Sequence, residues 1–268
     1  LKILSGYLNP TSGQVSIDGL NINNHSHEIK KIIGYLPESN PLYYEMMVYD
    51  LLKFTANIRG INSRDFKESL DKVVERCGLK GVLHKNIGSC SKGYKQRVGL
   101  ACAMIHDPKI LILDEPVTGL DPNQIVEIRE LIKNLGKEKL VLMSSHILQE
   151  IEATVDRIII IDKGKIVADG STKKLIKKNK GNINLHLEIT GAKKEDLKKI
   201  ETTFENVKIK NIKKVKKGYS LNISYDEKND PRTDLFNHIV KSKWGLLEMT
   251  PQSENLEDIF RKLTNTNN

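Results

Sequence analysis

The sequence predicts an α/β fold with a mainly parallel sheet, followed by a small C-terminal α+β domain. Three observations predict it. The first is a set of short aliphatic runs: Ile110-Leu111-Ile112-Leu113, Leu140-Val141-Leu142-Met143 and Ile158-Ile159-Ile160-Ile161. Runs apolar at every position suit strands covered by helices on both faces, as in a parallel sheet. The second is the helical pattern between these runs. The third is a shift in composition near Gly170.

The elements follow in order. Residues 1–4 read as the tail of a helix ending near Gly6, and Val15-Ser16-Ile17-Asp18-Gly19 reads as a strand and tight turn. Tyr94, Val98, Ala101, Cys102 and Ile105 fall on one face of a helix. Asp121-Pro122 supplies an N-cap with proline at the first helical position. Ile125, Ile128, Ile132 and Leu135 then share a face, and Gly136 closes the helix. Asp162-Lys163-Gly164-Lys165 reads as a hairpin turn. In the last third, strands are expected over residues 183–189 and 220–225, and helices over 193–204 and 234–241. Leu256, Ile259, Phe260 and Leu263 form one more apolar face at helical spacing. The expected domains are residues 1–171 and 172–268.

Charge separates the two parts. Residues 1–170 carry 22 Lys and Arg against 21 Asp and Glu, whereas residues 171–268 carry 21 against 13. The net charge of +9 therefore belongs almost wholly to the second part. Its lysines are interleaved with acids and lack an aromatic platform for stacking bases, so a solvated surface is expected rather than a nucleic-acid interface. No run approaches the roughly 18 apolar residues of a spanning helix, and no signal peptide is apparent. Cys77, Cys90 and Cys102 lack metal-site spacing and are expected as reduced thiols.

The residues that carry chemistry begin with Ile110-Leu111-Ile112-Leu113-Asp114-Glu115-Pro116. A buried strand here delivers two adjacent carboxylates to the C-terminal edge of a parallel sheet, where such sheets bind ligands. One carboxylate can hold Mg²⁺ and the other can polarise a water. The plainer alternative is an acid pair capping a helix after a core strand. Upstream, Cys90-Ser91-Lys92-Gly93-Tyr94 opens a helix with small residues, which leaves backbone N–H groups for an anion or simply makes Ser91 a cap. Downstream come Thr118-Gly119-Leu120-Asp121-Pro122 and Ser144-Ser145-His146. A strand-end histidine can bond a terminal phosphate, although a lone one is more often structural.

In this order and spacing, the residues strongly resemble the ABC ATPase family over residues 1 to about 170. The resemblance implies a P-loop NTPase-like ABC ATPase core with a helical subdomain. It implies that Asp114 is the Walker B aspartate, Glu115 the catalytic glutamate and His146 the switch histidine. Ser91, Lys92 and Gly93 fall in the signature sequence, Asp121 in the D-loop and Glu38 at the Q-loop. Asp114 and Glu38 are thus expected at the metal; Ser91, Lys92, Gly93, Asp121 and Glu38 are expected at nucleotide. The implied cofactors are ATP and Mg²⁺. The implied partners are transmembrane permease subunits and a second nucleotide-binding domain, at the cytoplasmic face of the plasma membrane.

Three departures stand out. Glu38 replaces the usual glutamine and cannot donate an amide hydrogen bond. The signature carries Lys92 and Tyr94 where glycine and glutamine are usual, a combination similar to bacterial exporter-type and gliding-motility-type subunits. Finally, no G-x-x-x-x-G-K-[ST] occurs in these residues. The expectation is a chain beginning just after that phosphate loop, which by itself binds ATP weakly. The competing reading is a soluble ABC ATPase acting on ribosomes or nucleic acid. Such proteins carry two cassettes or a long coiled-coil insertion, and one motif set with no heptad array favours the transport subunit.

Overall fold

The computed structural model describes residues 1–172, 174–175, 182–226, 228–252 and 256–265. The chain divides into two compact units, Leu1–Val155 and Asp156–Asn268.

The first unit opens with turns rather than a regular helix. Ser5 N–H bonds the Leu1 carbonyl, and Gly6 closes the segment with a left-handed φ of 72°. A two-residue hairpin follows, β1 (Ser16–Ile17) and β2 (Leu20–Asn21), turning at Asp18 and Gly19. Helix α1 (Ser26–Ile32) leads into β3 (Ile33–Leu36). Strands β3, β4 (Ile110–Asp114) and β5 (Leu140–Ser144) form a parallel sheet in that spatial order.

The apolar character of β4 has a physical cause. Leu111 and Leu113 point into one core, shared with helices α2 (Val48–Ile58), α3 (Phe66–Cys77) and α4 (Lys92–Met104). Ile112 points the other way, into a second core with Ile22, Ile29 and Ile33. Both faces of the strand are buried, so no polar residue is tolerated until Asp114. The sheet and α4 approach closely at Gly34, where a Cβ would collide with the Ala103 carbonyl. The expected helix around Val98 and Ala101 is α4, but Tyr94 lies exposed at its start. Burial there runs through Gly93, Val98, Gly99, Leu100, Ala101, Ala103 and Met104, because the helix is covered on more than one side. Helix α5 (Pro122–Leu135) has its N-cap at Asp121 and its C-cap at Gly136, and α6 (Leu148–Thr154) follows β5.

The three cysteines are free thiols. Burial pushes Cys77 up to about 12 and Cys102 to about 11, so both are inert core groups at neutral pH.

In the second unit, β6 (Ile158–Asp162) pairs antiparallel with β7 (Lys165–Gly170). This corrects the expectation that the isoleucine run joins the parallel sheet. Ile158 and Ile160 are buried while Ile159 and Ile161 are exposed, the alternation of a one-sided hairpin. The expected turn at Lys163 and Gly164 is present. A four-stranded antiparallel sheet follows, in the order β11-β8-β10-β9. Its strands are β8 (Asn182–Thr190), β9 (Val207–Val215), β10 (Gly218–Asp226) and β11 (Gly245–Gln252). The expected helix over 193–204 is two short ones, α7 (Lys194–Lys198) and α8 (Ile200–Thr203). Helix α9 (Arg232–Lys241) matches expectation, and in α10 (Leu256–Asn265) Leu256 and Ile259 are buried. Leu185, Leu187 and Ile189 of β8 face a core with Leu197, Ile200, Leu235 and Ile239. His186 and Glu188 therefore stand on the opposite face.

His106 yields a pH-dependent test of the first unit. One ring nitrogen, Nε2, donates to the Ile33 carbonyl at 3.1 Å. The other, Nδ1, is buried without a partner among the described residues. Burial, then the nearby Arg59, holds its pKa down at about 4. The unfolded chain protonates near 6.5, so the unfolded state binds more protons between these values. The resulting stability is complete above about pH 6.5 and lost as pH falls towards 4. Between pH 7 and 5, the parent should lose about 1–2 kcal/mol more than a His106→Gln variant, after discounting for solvent screening. Equal losses in denaturant titrations would remove His106 as the cause.

Candidate functional site

The site lies at the C-terminal edge of the parallel sheet, where three strand ends come into register. Leu36 pairs with Leu113, and Asp114 pairs with Ser144. Glu38 is exposed, two residues beyond β3. Asp114 ends β4, Glu115 follows it, and His146 follows β5 by two residues. The register alone thus brings Glu38, the acid pair and His146 to one edge.

Hydrogen bonds separate the two adjacent carboxylates. Ser144 Oγ donates to Asp114 Oδ1 at 2.6 Å and accepts from the Glu115 backbone N–H at 3.1 Å. One hydroxyl therefore fixes the side chain of one acid and the backbone of the next. Glu115 adopts a left-handed φ of 50°, which turns the chain sharply after the strand. Its Oε2 accepts from Thr118 Oγ1 and from His146 Nδ1, both at 2.9 Å. The Glu115 side chain is 17% exposed and that of His146 is 69% exposed. With Nδ1 donating, His146 keeps Nε2 as a second, outward polar atom. Tyr35 stands near this edge; burial and the Asp114 carboxylate both push its phenol pKa up.

A cavity of about 600 Å³ opens beside Asp114, lined also by Leu1, Leu4, Leu8 and Val15. Lys2 and Ile3 complete that mostly aliphatic lining, and Asp114 is its one carboxylate, an oxygen donor of the kind Mg²⁺ takes from a protein.

The second group of expected residues sits at the start of α4. Ser91 is the N-cap, accepting from Tyr94 N at 3.3 Å, so its own O–H proton remains available to donate. Lys92 Nζ occupies the space a Cβ on Gly119 would need, and Gly119 has a φ of 72°. Gly93 packs on the Gln124 amide so closely that a side chain there would displace it. Gln96 Nε2 donates to the Pro116 carbonyl at 2.8 Å, tying α4 to the loop after Glu115. Asp121 caps α5 through Gln124 N at 3.0 Å, which gives it a structural duty in this chain.

Asp114, Glu115 and His146 are thus joined directly or through Ser144. Glu38, Ser91, Lys92, Gly93 and Asp121 make no hydrogen bond to that trio. Sequence reading missed Ser144 and Thr118 as positioning groups. The signal for Ser144 was its place at the end of β5, level with Asp114.

A parallel-sheet edge with an aspartate, a clamped glutamate and a histidine has groups able to hold a cation and to polarise a water. Comparison with known proteins makes the family specific. The ABC transporter family profile matches residues 1–118. The bacitracin transport ATP-binding protein BcrA of Bacillus licheniformis is 34% identical over 265 residues, covering 98% of this chain and 83% of that protein. The uncharacterized ABC transporter ATP-binding protein YxlF of Bacillus subtilis is 36% identical over 183 residues, covering 68% of this chain and 60% of that one. A solved ATP-binding subunit of an ABC transporter superposes with a TM-score of 0.58 at 28% identity, over 66% of this chain and 74% of the other. The chain belongs to the ABC transporter ATP-binding protein family. Among the described residues, no helix is long and apolar enough to cross a membrane.

Ser144 offers a direct test of the geometry. Ser144→Ala removes the link between Asp114 and the Glu115 backbone. In the intact protein, ATP turnover should fall about tenfold, about 1.4 kcal/mol, while the melting temperature changes little. Unchanged turnover in steady-state assays would show that the strand ends hold both acids without it.

Proposed function

We propose that this chain is the ATP-hydrolysing engine of an ABC exporter, working with transmembrane permease subunits at the cytoplasmic face of the plasma membrane. The observation that carries the reading is the clamped pair Asp114 and Glu115, with His146 on Glu115 Oε2. Two adjacent carboxylates held differently are what phosphoryl transfer to water needs: one beside the metal, one beside the nucleophile.

Asp114 is the metal-side group, with Glu38 as a second oxygen donor at the same edge. Bound Mg²⁺ would neutralise charge on the phosphates of ATP. Glu115 holds and polarises the attacking water. His146 orients Glu115 through Nδ1 and offers Nε2 to the terminal phosphate. Ser91, Lys92 and Gly93 serve the nucleotide of a second nucleotide-binding domain, in a pair that closes head to tail. Ser91 can do so while still capping α4, because the cap uses its oxygen and the contact would use its proton. Asp121 acts from the loop between Glu115 and α5.

Export is favoured by the departures at Lys92 and Tyr94, and a transport role by the match to the bacitracin transport protein BcrA, which runs through the C-terminal residues as well as the ATPase core. Residues 1–171 form the ATPase domain in this reading. Residues 172–268 are accessory and contribute no catalytic group.

The variant that tests the proposal is Glu115→Gln in the intact protein. Nucleotide binding should survive within about threefold, and turnover should fall by about a hundredfold or more, since an amide cannot polarise the water. A closed dimer should accumulate with ATP on size-exclusion chromatography. Near-normal ATPase activity would return Glu115 to the role of a turn-forming acid.

A further inference from the structure

The second unit carries a side-chain cluster that the ATPase reading does not use. His186 and Glu188 lie two apart on β8, so they share the face turned away from the core. Glu248 of β11 is the register partner of Glu188, next to a bulge between Leu246 and Glu248. Like charges directly opposite on neighbouring strands destabilise a sheet. Among the described residues, no lysine or arginine forms an ion pair with either carboxylate. What approaches both is His186 Nε2, at 3.9 Å from Glu188 Oε1 and 4.0 Å from Glu248 Oε2. Both distances are too long for hydrogen bonds.

The surrounding bonds orient this trio. His186 Nδ1 donates to Asn222 Oδ1 on β10 at 2.8 Å. That bond puts the ring proton on Nδ1 and leaves the Nε2 lone pair directed towards the carboxylates. Thr250 Oγ1 donates to Glu248 Oε1 at 2.7 Å, which leaves Oε2 as the oxygen near the imidazole. The three ligand atoms lie within 4.8 Å of one another. An ion bonded to each at about 2.0–2.2 Å with tetrahedral angles sets them about 3.4 Å apart, so the imidazole must approach each carboxylate by about half an ångström and the two carboxylate oxygens must close by up to about 1.4 Å, a shift within the reach of glutamate side-chain rotation.

We infer that His186, Glu188 and Glu248 form a site for one divalent transition-metal ion, with coordination positions left for water. One imidazole and two carboxylates suit zinc, manganese or ferrous iron better than the all-oxygen sets of Mg²⁺ and Ca²⁺. The two negative charges match the ion's charge. The ion relieves the Glu188–Glu248 repulsion and ties β11, an edge strand, to β8. Its role is structural and lies apart from ATP hydrolysis.

Zinc is the probe. The chelator-stripped intact protein is titrated with zinc chloride by calorimetry at neutral pH, and Co²⁺ absorption reports the ligand set. The expected result is one saturable site of about micromolar affinity. Glu248→Gln, at the exposed edge, should weaken it about tenfold or more, and Asn222→Ala, which frees the imidazole, should weaken it by about 10–100-fold. His186→Gln should abolish it and remove the Co²⁺ band. If His186→Gln fails to fold by circular dichroism, Glu248→Gln alone decides. Absence of saturable binding up to about millimolar zinc, or equal affinity in parent and Glu248→Gln, overturns the inference.

Discussion

The hydroxyl of Ser144 is the small constraint on which the arrangement of the acid pair depends. It bonds the Asp114 carboxylate on one side and the Glu115 backbone on the other. Adjacent carboxylates would otherwise repel, and either could take either role. The clamp gives them different surroundings: Asp114 beside an open cavity, Glu115 turned through a left-handed φ towards Thr118 and His146. The parallel register of β4 and β5 makes the clamp possible, because it sets Ser144 level with Asp114. That register is fixed in turn by a strand whose alternate residues fill two separate cores.

Much of this was legible in the residues. The run at Ile110 has no polar position to expose and is covered on both faces, whereas the run at Leu140 forms the edge strand β5, with Leu140 exposed and its other residues half-buried. The run at Ile158 has the same composition and a different fate. Periodicity alone cannot separate a strand with two buried faces from a hairpin strand with one exposed face. Strands β9 and β11 escaped notice for a different reason. Four lysines in β9, at 208, 210, 213 and 214, make it an edge strand whose pattern is mostly polar, a common guard against edge-to-edge pairing. In β11, a bulge breaks the alternation and Pro251 weakens the strand signal.

At the site, residue type and spacing revealed the acids and the histidine, whereas the bonds joining them depend on tertiary register. The signature residues are a further case. Ser91 and Asp121 both cap helices. Lys92 rests against Gly119, and Gly93 against Gln124. These contacts hold the start of α4 against the loop after Glu115, and Gln96 reinforces them through the Pro116 carbonyl. A change beside Glu115 therefore has a short, packed route to the start of α4. The C-terminal unit follows a separate logic, with its own core, its own exposed sheet face and its own cluster of titratable groups.

In the proposed function, Asp114 and Glu115, neighbours in sequence, divide metal and water between them. The most direct measurement is the dependence of nucleotide binding on Mn²⁺, followed by electron paramagnetic resonance in the intact protein and in Asp114→Asn and Glu115→Gln. Asp114→Asn should raise the half-saturating Mn²⁺ concentration more than about tenfold, while Glu115→Gln should leave it within about twofold, if the two acids divide metal and water. Equal shifts in the two variants, or a larger one in Glu115→Gln, would contradict it.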